Sequence, residues 1–308
     1  MATSPLTSKL MAIGTGLRQR LYSRAFIVGD VNNATDRFVY LVLDIASGDT
    51  AIRYGILQGL AALGPAYSVY TKNNVAVTGT HSHSGPGAFF NYLLPQITSL
   101  GFSKESYQAI VDGTVLSIKR AHESLKPGFL AFADTTISDA NLNRSPSAYL
   151  ANPTVERAKY SDNTDKTLTV LRFQRESDGL NTGILAWHSV HGTSMYANNT
   201  HVTGGMFKYV CHNLPFTQAK FYIDNKGLSS YLFEKAMQTD QTAAPGFVAA
   251  FSQSSVGDTT PNVLGAWCDD GSGTQCSFDK STCSGNAATC HGRGMSNLYF
   301  RLSSRKVL

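Results

Sequence analysis

Residues 74–87 read Asn-Val-Ala-Val-Thr-Gly-Thr-His-Ser-His-Ser-Gly-Pro-Gly and combine a strand pattern with a turn that carries two histidines. The first six residues alternate and are rich in β-branched side chains, which predicts a β-strand. Because residues two apart on a strand face the same side, His81 and His83 are expected to point together into one cavity at the strand's end. The Gly-Pro-Gly turn at 85–87 then stops the strand and lets the backbone pass close to a bound group. The pattern indicates a metal or catalytic site, and two satisfied polar histidines are the alternative.

A second histidine cluster, His-Ser-Val-His-Gly-Thr-Ser-Met at 188–195, follows a predicted strand at 183–187. Ligands collect at the carboxyl ends of strands in α/β sheets, so the two clusters are expected to converge although roughly 100 residues of chain separate them. The alternative places His188 in the core and lets His191 cap a loop. The presence of the first cluster favours a shared site.

Alternating apolar runs predict seven β-strands, at residues 25–28, 38–45, 75–78, 129–133, 168–173, 183–188 and 247–252. Apolar residues at helical spacing predict helices at 49–63 and 104–125. Strands that alternate with helices predict an α/β fold with a mixed, layered sheet and flanking helices. The polar, turn-rich segment 134–165 is predicted to be a long ordered loop, and loops of that length inside a domain usually serve function.

The composition is that of a globular protein that forms a core, since 42% of the 308 residues are hydrophobic. The formal net charge of +5 comes from scattered Lys and Arg residues without a block of like charges. With no zinc-finger, RRM or KH pattern, this argues against nucleic-acid binding. The best apolar run, 38–45, contains Asp44 and falls far short of the ~18 residues that a membrane helix needs.

Four of the five cysteines fall in one Gly/Ser/Asn-rich segment, at Cys268, Cys276, Cys283 and Cys290. Their spacings are too wide for the Cys-x-x-Cys pairs of a zinc ribbon, so two local disulfides are expected, with Cys211 left over. Disulfides indicate an oxidising compartment, and we expect the secretory pathway, with the protein extracellular or associated with a membrane surface. The N-terminal residues contain no hydrophobic signal core.

Two further segments carry polar groups suited to chemistry. Arg144, close to Pro146 in the long loop, is predicted to present a rigid guanidinium to an oxyanion or a substrate hydroxyl, with a surface salt bridge as the alternative. The turn at 254–262, Ser-Ser-Val-Gly-Asp-Thr-Thr-Pro-Asn, follows the predicted strand at 247–252 and includes Thr260. Such a turn presents a nucleophile in some enzymes and is only a turn in most proteins.

Together these motifs resemble those of the neutral ceramidases, amidohydrolases that cut the N-acyl bond of ceramide to give sphingosine and a fatty acid. The matching blocks occur in family order between residues 14 and 294, at 16–26, 79–87, 143–160, 163–166, 191–195 and 247–265 and in the cysteine segment. The resemblance implies that His81 and His191 are zinc ligands. It also implies that His83 hydrogen-bonds near the reacting centre and that Arg144 is the active-site arginine.

By this resemblance, Zn²⁺ would bring the pKa of a bound water to about 7 and polarise the amide carbonyl. The attacking group is then that hydroxide or a hydroxyl of the turn that holds Thr260, and the residues do not decide between them. The substrate would be ceramide, or a related N-acyl sphingoid lipid, taken from a membrane surface without a membrane span. Its chains need an apolar slot, which residues 89–94 are expected to line, with core packing as the alternative.

The chain also departs from the family pattern. Thr260 occupies the position of the family's serine before Pro-Asn, and its methyl group restricts χ1. Residues 14–294 are expected to be a partial catalytic domain with a probable insertion at 202–223, and segments 1–13 and 295–308 are expected to diverge. The continuing part of the family's domain carries a Glu and a Tyr that complete the zinc site, so we expect weak zinc binding and impaired hydrolysis. A catalytically silent lipid-binding homologue or a non-functional fragment is the alternative.

Overall fold

The structure, a computed structural model, describes residues 14–33, 35–194, 200–203, 225–277, 282–283, 286–287 and 290–292. The predictions for segments 1–13 and 295–308, for Cys211 and for residues 204–223 of the expected insertion lie outside the described residues.

Within these ranges the strands are β1 Gly16–Leu17, β2 Ser23–Gly29, β3 Arg37–Leu43, β4 Val75–Gly79, β5 Gly128–Thr136, β6 Leu142–Asn143, β7 Thr167–Arg175, β8 Asn181–His188, β9 His201–Val202, β10 Ala243–Gln253, β11 Thr259–Thr260, β12 Ala266–Cys268, β13 Thr282–Cys283, β14 Asn286–Ala287 and β15 Cys290–Gly292. The helices are α1 Thr50–Ala62, α2 Leu93–Thr98, α3 Lys104–Glu123, α4 Pro146–Leu150, α5 Thr154–Arg157 and α6 Lys226–Met237, with a 3₁₀ turn at Pro65–Tyr67. The seven predicted strands and both predicted helices are confirmed, with ends that differ by a few residues.

Strands β2, β3 and β4 form a three-stranded sheet in which β2 is antiparallel and β4 parallel to β3. Alternate residues of β3, namely Val39, Leu41 and Leu43, are buried in one apolar cluster with residues of α1 and α3. Helix α1 begins after Asp49, whose Oδ1 accepts hydrogen bonds from two backbone N–H groups of the first turn. This capping satisfies donors that a helix start otherwise leaves unpaired. The arrangement leaves β4, which leads to the first histidine turn, at the edge of its sheet.

Strands β10, β8, β7 and β5 form a second sheet in that order, with β10 parallel to β8 and the other pairs antiparallel. Helix α6 covers one face, where Phe233 and Met237 pack with buried residues such as Ala186 and Phe251. Strand β8 therefore lies inside the sheet, and its carboxyl end leads to the second histidine cluster.

The two sheets pack against each other through the faces that the helices leave free. Phe26 and Val42 of the first sheet form a buried cluster with Leu185 and Ala250 of the second. Beside it, the indole N–H of Trp187 donates a hydrogen bond to the Tyr40 hydroxyl, at 3.0 Å between nitrogen and oxygen. The order of layers is helix, sheet, sheet, helix. The predicted α/β class with flanking helices is confirmed, and the strands are divided between two stacked sheets.

The segment 134–165 is ordered, as predicted, and contains β6, α4 and α5. Strand β6 pairs antiparallel with β11, which sets Leu142 opposite Thr260 and Asn143 opposite Thr259. This pairing joins the long loop to the hydroxyl-rich turn.

The cysteine segment contains two disulfides, Cys268–Cys283 and Cys276–Cys290, which agrees with the expected pair of local bridges. Strands β12 and β15 pair antiparallel and align Cys268 with Cys290. None of the helices within the described ranges combines the length and the apolar content that crossing a bilayer requires.

Candidate metal centre and active site

His81 follows the end of β4 in a strained backbone conformation, with φ at 62°. Positive φ is uncommon for a residue with a side chain, so the surrounding contacts must hold it. One of them is a hydrogen bond of 2.8 Å between its Nδ1 and the carbonyl oxygen of Ala46. A carbonyl only accepts, so a hydrogen lies on Nδ1, and the tautomer with its hydrogen there has its free electron pair on Nε2.

His191 follows β8 and reaches the first turn because the two chain segments meet directly. Ser82 and Gly192 form an isolated parallel bridge, and the backbone N–H of His83 donates to the carbonyl of Gly192 at 3.2 Å. A Cβ atom at Gly192 would lie only 1.9 Å from the carbonyl oxygen of His81. Position 192 therefore requires glycine, and this close approach brings together the ends of strands from two different sheets.

The three imidazoles of His81, His83 and His191 meet through their Nε2 atoms. The Nε2 of His81 lies 2.8 Å from that of His191 and 3.2 Å from that of His83. Two nitrogens bound tetrahedrally at about 2.0–2.1 Å from one zinc ion are about 3.4 Å apart, close to these separations. Three ring nitrogens this near to each other are also a donor set that suits Zn²⁺. The residues therefore fit a metal ion.

The environment of the cluster keeps two of its rings, those of His83 and His191, neutral. The pKa of His83 is lowered to about 4, first by loss of solvent and then by the neighbouring His81 and Arg144. Burial, followed by Arg144 and the other two imidazoles, likewise lowers the pKa of His191 to about 4. At neutral pH these two rings are therefore uncharged, which is the state in which an imidazole binds a metal.

Arg144 is near enough to lower the pKa of both His83 and His191, so the long loop does bring a cation towards the cluster. Its backbone N–H donates to the carbonyl of Asp258 at 2.8 Å, and a guanidinium nitrogen donates to the carbonyl of Gly257 at 3.3 Å. Within the part of the chain that the structure describes, the bond to Gly257 is the one hydrogen bond of the guanidinium, so its other N–H groups are available to a ligand.

Thr260 lies on β11 with only 8% of its surface exposed. Its Oγ1 accepts hydrogen bonds from the backbone N–H and the Nδ2 group of Asn262, at 3.3 and 3.0 Å. Among the residues that the structure describes, no hydrogen bond joins Thr260 to the three imidazoles. The structure thus brings together His81, His83, His191 and the charge of Arg144. In the described residues, Thr260 is joined to the segment that precedes Arg144 through the β6–β11 pairing.

The family model described as neutral/alkaline non-lysosomal ceramidase, N-terminal, matches residues 8–306. The chain belongs to this ceramidase family. It is 38% identical to neutral ceramidase B of Dictyostelium discoideum over 92% of the chain and 36% of that protein. It is 32% identical to neutral ceramidase 1 of Arabidopsis thaliana over 92% of the chain and 41% of that protein. The chain thus spans about two fifths of the length of these curated relatives.

Solved ceramidase structures share the fold. The chain superposes on a ceramidase complexed with C2 with a TM-score of 0.69 at 34% identity, covering 83% of this chain and 35% of that one. For the crystal structure of the neutral ceramidase from Pseudomonas aeruginosa the TM-score is 0.67 at 33% identity, covering 84% of this chain and 36% of that one. The family prediction made from the motifs is confirmed.

His188 is not part of the ceramidase histidine cluster and follows the core alternative. It is buried, and its Nδ1 donates to the carbonyl of Thr167 at 3.0 Å. Burial is the main cause that lowers its pKa to about 4, with the nearby Lys226 adding to the effect. His191 belongs to the histidine cluster, so the alternative in which it caps a loop does not apply.

Two buried polar residues that support the second histidine segment were not predicted from the sequence. The Nδ2 group of Asn225 donates to the carbonyl of His191 at 2.7 Å, and Lys226 Nζ donates to the carbonyl of His188. Burial lowers the pKa of Lys226 to about 7. These side chains start helix α6, and no local pattern marks a polar residue that a distant segment will bury.

The segment 89–94, expected to line an apolar slot, is buried in its first half and exposed in its second. Phe89 is fully buried in the first core cluster and Phe90 packs against it, so core packing is confirmed for these two. Tyr92, Leu93 and Leu94 are exposed, at 48%, 76% and 73%. Only the second half of this segment is free to meet a lipid.

Proposed function

We propose that this chain provides the metal ligands and the oxyanion-binding residues of a zinc-dependent amidohydrolase that cuts the N-acyl bond of ceramide. The observation that carries the proposal is the meeting of three imidazole Nε2 atoms within a family-matched segment. The relatives named neutral ceramidases support the substrate class, and the whole enzyme's activity is inferred for this chain from them.

In this proposal His81 and His191 hold the ion, and His83 lies beside it. The hydrogen bond from His81 Nδ1 to the Ala46 carbonyl fixes the ring so that Nε2 faces the cluster. When bound, zinc supplies a positive charge that polarises the amide carbonyl and acidifies a water molecule. The neutral rings favour this binding because no proton has to leave His83 or His191 first.

Arg144 and His83 would stabilise the negative charge that develops on the carbonyl oxygen as the amide is attacked. The guanidinium is a permanent cation, and its anchoring to the 257–258 backbone keeps it near the imidazoles. The low pKa of His83 keeps it from becoming a second fixed cation at neutral pH, so it acts through a ring N–H. We favour water as the attacking group, since the described contacts of the Thr260 hydroxyl go to Asn262.

Purified protein incubated with a short-chain fluorescent ceramide tests the proposal. We expect slow turnover, in keeping with the weak zinc binding and impaired hydrolysis expected from the sequence, that is lost on chelation, restored by excess zinc and absent from His81→Ala. His122→Ala is a matched control, because His122 bonds to Tyr70 away from the cluster. Turnover that survives both chelation and His81→Ala would refute the metal-dependent reaction. Ceramide binding without turnover in the zinc-loaded protein would favour the lipid-binding homologue.

We also propose that the protein works in the secretory pathway, at a membrane surface from which it takes its lipid. The two disulfides support an oxidising compartment. The exposed side chains of Leu93 and Leu94 next to the first histidine turn support contact with apolar material. Mass spectrometry of the protein isolated from its source tests the compartment, with two intact disulfides expected and free thiols at these positions as the contrary result.

A further inference from the structure

Gln253, the last residue of β10, hydrogen-bonds to both histidine-bearing segments at once. Its Nε2 donates to the carbonyl oxygen of Thr80 at 2.8 Å and to that of Val190 at 2.6 Å. Its Oε1 accepts from the backbone N–H of Val190 at 3.2 Å. Thr80 immediately precedes His81, and Val190 immediately precedes His191. One planar amide therefore fixes the backbone directly before two imidazoles that come from different sheets.

The geometry of the amide leaves little freedom in this link. Both hydrogens of the Nε2 group are used, one on each carbonyl, so the two carbonyls must stay a fixed distance apart. Thr80 and Val190 are buried, at 1% and 6% exposure, so water cannot readily replace a lost donor. The link also acts next to the strained φ of His81, a conformation that neighbouring contacts must maintain.

We propose that Gln253 is a positioning residue that sets the separation of the His81 and His191 rings and thereby the affinity of the site for a metal ion. The described hydrogen bonds of its side chain go to the backbone of Thr80 and Val190. The metal-affinity part rests on the proposed function, whereas the effect on ring separation holds for the protein without metal. Removal of a residue that holds a metal ligand in place typically changes metal affinity by about 10- to 100-fold.

Two variants and one control separate this role from general stability. Gln253→Met keeps the approximate size and removes all three hydrogen bonds. Gln253→Glu keeps the acceptor for the Val190 N–H but loses both donors and sets carboxylate oxygens against two carbonyls. Ser252→Ala is the control, since Ser252 is the neighbouring residue in β10, is buried at 1% exposure, and its hydroxyl bonds only to Tyr40 among the contacts described for it.

The first measurement is the dissociation constant for Zn²⁺, by competition with a chromophoric chelator, together with the visible spectrum of the Co²⁺-loaded protein. We expect Gln253→Met and Gln253→Glu to weaken zinc binding by about tenfold or more and to change the Co²⁺ spectrum. Ser252→Ala should bind both ions as the wild type does. Wild-type zinc affinity in both Gln253 variants would overturn the proposal.

The second measurement does not depend on any metal. In the metal-free protein with labelled histidines, nuclear Overhauser contacts between the His81 and His191 rings report their separation, since the ring centroids are 4.3 Å apart. These contacts should weaken in Gln253→Met and persist in Ser252→Ala. Their persistence in Gln253→Met, in a folded protein, would overturn the positioning role even if the wild type binds no zinc. Loss of the ring contacts in Gln253→Met, in a protein whose wild type keeps them but lacks zinc affinity, would leave the positioning role standing and remove the proposed function.

Discussion

Gly192→Ala is the substitution that most directly tests how the metal centre is built. The new Cβ would lie 1.9 Å from the His81 carbonyl oxygen, whereas real Cβ atoms keep at least 3.0 Å, so the two segments must separate by about 1.1 Å. Both partners are backbone, and no side chain can rotate away. An overpacked contact of this kind costs roughly 3 kcal/mol.

The same displacement acts on the imidazoles. The two shifted segments carry His81 and His191, whose Nε2 atoms lie 2.8 Å apart, so the shift disturbs the relative placement of two expected metal ligands. We expect the free energy of unfolding, from urea titration of the metal-free protein, to fall by about 3 kcal/mol and zinc affinity to fall by about 10- to 100-fold.

Gly87→Ala is the matched control, because Gly87 lies in the first histidine turn and a Cβ there meets no atom within 4 Å. It should unfold and bind zinc as the wild type does. Wild-type stability and zinc affinity in Gly192→Ala would refute the reasoning, since the close approach would then not define the site.

Three further predictions address other parts of the molecule. Thr260→Ser should leave ceramide turnover within about twofold of the wild type, because water is the proposed attacking group and the described contacts of the Thr260 hydroxyl go to Asn262. A gain of roughly tenfold, or ~1.4 kcal/mol of barrier, on removal of the χ1-restricting methyl would instead indicate that this hydroxyl attacks. The lowered pKa of His188, about 4 against 6.5, means that the unfolded chain binds more protons in this range, so stability is full above pH 6.5 and falls towards pH 4. His188→Asn should reduce this slope in urea unfolding by up to ~1.4 kcal/mol per pH unit, and an unchanged slope would assign it to other groups. Replacing Cys276 and Cys290 by Ser opens a bridge with a sequence separation of 14 and should lower stability by about 3 kcal/mol, which an unchanged melting temperature would disprove.

The elements of this fold could be predicted because their patterns are local. The alternation in β3 and the helical spacing in α3 predict which residues face a core. In the structure the apolar residues of both elements do face it. These patterns do not show which strands pair with each other. Nothing near β4 or β8 in sequence reveals that they belong to different sheets, since strand pairing depends on contacts between distant segments.

The candidate site, too, could be predicted from the sequence only in part. His81, His83 and His191 could be chosen because histidines after strands are recognisable signals. The positive φ of His81 and the need for glycine at position 192 could not, because both arise from one close backbone contact across 110 residues. Gln253 and Lys226 were missed for a related reason, as each is an ordinary polar residue until another segment buries it.

The bridge between Ser82 and Gly192 also has a consequence for the order of folding. Each sheet has its own apolar core with its own helices, whereas the imidazole pair exists only where the ends of β4 and β8 meet. The protein is therefore expected to bind metal only once the two sheets have packed against each other. During refolding, metal binding should appear in the last kinetic phase. An ion bound by residues of both sheets would have to dissociate before the sheets separate. Bound metal is therefore expected to slow unfolding.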